Sequence, residues 1–225
     1  MKRARSVKKL VEEFGETYSH LLGINLLSRE RGEIFKWFLA SLLFGARISE
    51  YIAMKTYREF EKKGVLSPEK IRDTGWDGLV AILDEGGYVR YDYKTATKLL
   101  EVTGNLLKGY QGDLNILHSK AIDERDLEKK LIDLGKGVGQ VTVAIFLRDL
   151  RCIWEKADPL PTSLTIEDAR NLGFTKEISD EKVLQDLKCV WNESKVKGKD
   201  FIQFETALLR FGKTLRRKKK VSCDG

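Results

Sequence analysis

Three glycines spaced two apart, Gly135, Gly137 and Gly139, join a charged amphipathic run to an almost wholly apolar one in "LIDLGKGVGQVTVAIFLRDL", Leu131 to Leu150. Glycine admits positive φ and leaves the backbone amides unobstructed, so such a turn can set N–H groups directly against a ligand. Amides that open a helix also carry the positive end of its dipole, and the group they suit is an anion such as phosphate. Lys136 adds a cation within the turn. An ordinary αα corner with glycine caps has the same local pattern. Two nucleotide motifs do not fit. No Lys-Ser or Lys-Thr follows a glycine at P-loop spacing, and G-x-G-x-G after a helical run is not the G-x-G-x-x-G that follows a strand.

The elements around this turn read as helices. Ile34, Phe38 and Leu42, then Ile48 and Ile52, recur at four-residue spacing over a stretch too long for strands. Ser67 and Pro68 form a helix start, and Gly86-Gly87 a break. Leu127, Leu131 and Leu134 share one face of the run before the glycines. "VTVAIF" is β-branched enough for a strand, but a lone strand would have no partner, so a buried helix is expected. The fold class is therefore all-α, with about ten short helices, and a Pro-rich bend at 158–161 separates a central block from a C-terminal group.

Charge is uneven along the 225 residues. Residues 1–9 hold five Lys/Arg and no acid, and 210–225 hold seven against one acid, while 10–209 carry 29 basic and 33 acidic residues. Basic clusters of this kind suit phosphate backbones, and solvated termini look the same. Cys152, Cys189 and Cys223 form no C-x-x-C pair, and His20 and His118 stand alone, so neither a zinc site nor a redox pair is expected. No window approaches a membrane span and no apolar signal core follows the basic start, so the expected location is intracellular and cytoplasmic.

"GVGQVTVA" followed by "ADPLP" resembles the helix-hairpin-helix (HhH-GPD) DNA glycosylase superfamily, which includes endonuclease III and the alkylation-repair glycosylases. Gly137-Val138-Gly139 matches the family's turn, Thr142 and Ala144 lie near its T-A positions, and Asp158 falls nineteen residues after Gly139 with Ala157 before it. "IFKWFLASLLFGARISEYIAMKTYREF" and "GGYVRYDYKTATKLLEV" are similar to two upstream family segments, so the resemblance spans about residues 30–175. There are departures. Lys136 stands for the usual hairpin proline, the family's glutamine is missing around Phe44 to Ser49, Val141 stands where bifunctional members carry the Schiff-base lysine, and the cysteine-rich iron–sulfur loop is absent.

The resemblance implies two helical lobes with a cleft between them: a central lobe of about 30–125, a second lobe from the N-terminus and about 126–213, the hairpin at 124–150, and a basic tail at 214–225. It implies a monomeric, nucleoid-associated DNA repair glycosylase acting on double-stranded DNA with a damaged or mismatched base, and no membrane. Asp158 would be catalytic, stabilising positive charge on the sugar and assisting water attack; its alternative is an Asp-Pro turn. With Val141 in the lysine position, hydrolysis without strand cleavage follows. Lys156 is a substitute nucleophile or a surface lysine. DNA contacts fall to Lys136, Gly137, Val138, Gly139, Gln140, Arg216, Arg217 and Lys218. Trp37, Phe38, Phe44, Tyr51 and Trp154 are base-pocket candidates, or core aromatics. No iron–sulfur cofactor is expected; a sodium or potassium ion could sit on the backbone carbonyls of Asp133, Gly135 and Val138. Two alternatives stand beside this reading: a hairpin DNA-binding protein without chemistry, and a bifunctional glycosylase/lyase with a displaced lysine.

Overall fold

The computed structural model describes the backbone of residues 2–223 and the side chains of residues 6–216. Among the described residues there are twelve α-helices and no strand: α1 (Lys2–Phe14), α2 (Tyr18–Leu21), α3 (Arg31–Phe44), α4 (Glu50–Lys62), α5 (Pro68–Gly86), α6 (Asp92–Tyr110), α7 (Leu114–Ser119), α8 (Glu124–Ile132), α9 (Gln140–Arg148), α10 (Ser163–Asn171), α11 (Asp180–Ser194) and α12 (Phe201–Cys223). None of them is long and apolar enough to cross a membrane. The all-α class expected from periodicity is the class observed, and "VTVAIF" lies in α9.

Local signals set many of the boundaries. Ser67 caps α5 by accepting the Lys70 amide, with Pro68 following, and Gly87 ends the helix at φ 88°. Ser49, Asp113, Asp123 and Thr162 cap α4, α7, α8 and α10 in the same way. The long apolar run 31–62 is broken after Phe44, and α4 restarts at Glu50.

The chain forms two compact units, with boundaries at Leu21–Leu22 and Pro159–Leu160. The smaller comprises residues 1–21 and 160–225, so helices from both ends of the chain pack together. Val7, Val11, Val183, Leu187, Phe204 and Leu208 fill its core. Gly212 lets α12 press on α10, since a Cβ there would meet Asp168 Oδ2 at 1.7 Å.

The larger unit, residues 22–159, holds the hairpin. Its centre is α3, in which Ile34 through Leu43 is buried except for Lys36, because α4, α7 and α9 all pack on it. Trp37 donates to the Phe146 carbonyl at 3.0 Å, and Phe38 meets Phe146 edge-on at 5.0 Å, so α9 is fixed to α3 by both polar and aromatic contacts. Leu127, Leu131 and Leu134 are all buried, as their shared face requires.

Candidate functional site

The hairpin turn occupies the residues between the end of α8 and Gly139, which is the N-cap of α9. Its three glycines do different things. Gly135 packs on α6, where an added Cβ would meet Val102 Cγ2 at 2.9 Å. Gly137 is left-handed at φ 88° and lies over Lys98, whose Cδ would be 3.2 Å from a Cβ. Gly139 has extended backbone and open space around its Cβ position. The turn is closed by the Val138 amide donating to the Gly135 carbonyl at 3.2 Å and by the Lys136 amide donating to Glu101 Oε1 at 3.2 Å. No side chain caps α9. Lys136, Gly137, Gly139 and Gln140 are exposed and Val138 is buried beneath them, so the uncapped amides open to solvent, where an anion can reach them.

Val141, in the first turn of α9, is 51% exposed although α9 is otherwise apolar and mostly buried. Thr142 beside it is buried against Gly45, whose Cβ would collide with Thr142 Oγ1 at 2.0 Å, so the end of α3 is pinned to the start of α9. Arg148 and Asp149 close α9 as a buried ion pair at 3.1 Å.

Past α9 the chain turns back to Asp158. The carboxylate pairs with the guanidinium of Arg151, whose other nitrogen donates to the Pro159 carbonyl at 2.6 Å. Arg125 donates to the Asp158 carbonyl at 2.6 Å and bridges to Glu128 at 2.6 Å. Burial pushes the Glu128 carboxyl up, with the Asp158 charge in the same sense and the Arg125 and Arg151 charges opposing. The result is a balanced quartet of two cations and two anions in which the Asp158 side chain, 35% exposed, is the more open of the two carboxylates, Glu128 being 11% exposed. Arg125, Glu128 and Arg151 carry no motif that would single them out in the sequence; only the seven-residue interval from Arg151 to Asp158 is a local cue.

The other expected site residues are dispersed. Trp37 and Phe38 have no exposed surface and serve the core. Trp154 is 3% exposed, stacks on His118 at 4.8 Å and donates to Asn115 Oδ1 at 2.9 Å. Burial, then the nearby Lys156 charge, holds the pKa of the His118 imidazole below its ordinary value, with the Glu155 charge opposing. Lys156 reaches the His118 carbonyl at 3.3 Å. Phe44 is half-buried at the end of α3, and Tyr51 is exposed in α4. Arg216 donates both terminal nitrogens to the buried carboxylate of Asp168, at 2.8 and 2.9 Å, so it is committed within the smaller unit. The side chains of Arg217 and Lys218 lie outside the described residues. Among the described residues, no three His, Cys, Asp or Glu side chains gather to hold a metal ion.

No protein-family model matches the chain, and no curated protein matches it. Among solved structures, the crystal structure of the H. pylori 3-methyladenine DNA glycosylase (MagIII) bound to 1,N6-ethenoadenine is similar, with a TM-score of 0.57 at 14% sequence identity. The match covers 82% of this chain and 85% of that one. At that identity the likeness is one of fold alone.

Proposed function

We propose that the chain is a DNA repair glycosylase that releases a damaged base by hydrolysis, with Asp158 as its catalytic carboxylate. The observation that carries this reading is a glycosylase-like fold in which the hairpin's uncapped amides and the partly exposed Asp158 carboxylate flank the same helix, α9, along the chain. The amides of Gly137, Gly139 and Gln140, with Lys136, take a backbone phosphate, which positions the duplex without reading sequence. The target nucleotide leaves the stack. As the bond from the base to the sugar stretches, positive charge grows on the sugar, and Asp158 stabilises it and orients the water. Water adds to the anomeric carbon and gives its proton to the Asp158 carboxylate, which passes it to solvent, and the base departs with the bonding electrons. Arg151 holds the carboxylate in place.

Val141 supplies no amine at the exposed start of α9, so no covalent sugar adduct forms there. Phe44 and Tyr51 remain the aromatic candidates with surface to offer a base. A sodium or potassium ion, if bound, would be held by the carbonyls of Asp133, Gly135 and Val138; the Gly135 carbonyl keeps one lone pair beyond its bond to the Val138 amide, and such an ion would rigidify the turn. The similar enzyme is a 3-methyladenine DNA glycosylase, which suggests an alkylated adenine as the substrate class; the chain would act on it in duplex DNA as a monomer.

A second reading has its own observation. Asp158 is bound at its carboxylate by Arg151 and at its carbonyl by Arg125, as a purely structural clamp would be, in a hairpin protein that binds DNA without chemistry. One assay divides the two. Duplexes carrying 1,N6-ethenoadenine, hypoxanthine, uracil or 8-oxoguanine are incubated with the protein, and half of each sample is treated with hot alkali. Breaks seen only after alkali mean hydrolytic release. Breaks without alkali, with a borohydride-trapped adduct, mean an amine nucleophile and defeat the water mechanism. Binding with no release on any duplex means the clamp.

A further inference from the structure

A cavity of about 550 Å³ lies in the larger unit beside the hairpin turn, walled by the chain just after α3, the first half of α6, and the turn itself. Gly45, Tyr93, Lys94, Lys98, Lys136 and Gly137 are among its walls. Three contacts fix its shape: Gly45 against Thr142, Gly135 against Val102, and Gly137 against Lys98. The volume is that of a small-ligand site.

Lys98 is the odd residue in it. Its side chain is half-buried, and its Nζ donates to the Leu42 carbonyl at 3.0 Å. That bond caps the last turn of α3, but a carbonyl at a helix end offsets only part of the cost of desolvating an ammonium. Among the described residues Lys98 forms no ion pair, and burial holds its pKa down at about 8. The cavity's one carboxylate, Glu101, already accepts the Lys136 amide. Three lysines against one acid leave the cavity in want of an anion. At the rim, Tyr93 is 61% exposed and packs against Trp76, 40% exposed, with ring centroids 5.3 Å apart. Trp76 is held by its Nε1 on Thr97 Oγ1 at 3.0 Å, and Thr97 lines the cavity. Cations within and a fixed aromatic pair outside are what a nucleotide asks of a protein, one for its phosphate and one for its base.

We propose that this cavity is a nucleotide-phosphate subsite, in which Lys98 takes as counterion a backbone phosphate of the DNA strand held by the hairpin, while Tyr93 stacks on the attached base. The DNA source rests on the functional reading above; the phosphate subsite rests on the cavity alone. Lys136 and Gly137 belong to both sites, so one strand can pass from the turn amides into the cavity.

The test is anisotropy of a labelled duplex with a single-stranded overhang, titrated across a range of KCl, with thymidine 5′-monophosphate and thymidine as competitors. Lys98→Met should weaken binding about tenfold and reduce the slope of log affinity against log salt by about one, the signature of one lost phosphate. Tyr93→Ser should weaken overhang binding and leave the slope unchanged. Thymidine 5′-monophosphate should compete and thymidine should not. An unchanged slope for a Lys98→Met protein with native circular dichroism overturns the proposal. Wild-type protein needs no variant to fold: acetylation of Lys98 by an N-hydroxysuccinimide ester, read by mass spectrometry, should be slowed by the duplex, and equal labelling also overturns the proposal. If wild type binds no duplex yet takes up the monophosphate through Lys98, the subsite stands, and its DNA source falls together with the functional reading.

Discussion

Two irregular segments flank α9, and they are held by opposite means. The turn before it is held by backbone: glycines in contact with α6, amides closing on a carbonyl and a carboxylate, and no capping side chain. The bend after it is held by charge: Arg151, Arg125 and Glu128 gathered about Asp158. A backbone turn keeps its shape at little electrostatic cost and leaves N–H groups for a ligand. A charged bend fixes one carboxylate in space, and loses both shape and chemistry when a partner goes. The first suits a surface that binds any sequence; the second suits a group that must stand at one atom.

The contrast can be pressed by mutation. Asp158→Asn keeps the side-chain shape, and base release should fall by about 10²–10⁴-fold while duplex affinity holds, measured by single-turnover kinetics and anisotropy. Equal activity would make the bend a clamp and nothing more. Arg151→Met should cost about 2 kcal/mol of stability in urea unfolding, because it removes a cation from both Asp158 and buried Glu128. In the double variant with Asp158→Asn the loss should be partly recovered, and strict additivity would mean the pair is not coupled.

Within the turn, Gly137→Val should cost about 1–2 kcal/mol, since a β-branched side chain at φ 88° is strained and its Cβ meets Lys98, and binding to all duplexes should weaken. Gly139→Ala should change stability by less than about 0.5 kcal/mol, because its backbone is extended and its Cβ position is open. Any loss of DNA affinity in that variant then reports a methyl group facing the phosphate. Equal destabilisation by both would refute the distinction between packed and outward glycines.

A last effect is one of pH. Lys98 titrates at about 8 in the fold through burial, against 10.5 for an ordinary lysine, with Glu101, Lys94 and Lys136 as the charged groups of the same cavity. Between those two values the unfolded chain binds the proton and the folded chain does not, so stability relative to Lys98→Met should rise with pH by about 1 kcal/mol from pH 8 to 9.5. Melting curves of the two proteins that run parallel across that window would mean that the ammonium is not desolvated.

How much of this was legible depended on how local the cause was. Ser67 and Pro68 start α5 and Gly87 ends it by contacts within a few residues, so the string already contains them. Gly135, Gly137 and Gly139 announced a tight turn, but not that the first packs on α6, the second covers a lysine and the third faces outward. Trp37 and Tyr51 are both aromatics at helical spacing, yet one has no exposed surface and the other is 74% exposed, because packing partners from other elements decide which side of a helix is inside.

The sequence by itself determined an all-helical chain, a glycine hairpin ahead of an apolar helix, and an Asp-Pro bend that parts the chain near residue 159. These follow from periodicity, caps and φ preferences, which act over a turn or two of chain. Tertiary structure alone decided that Arg125, 33 residues away, would hold Asp158, and that Lys98, one of 41 basic residues, would stand in a cavity with no carboxylate paired to it. Charge pairing and desolvation depend on distance through space, and a linear chain carries no record of which of its like-charged residues will meet.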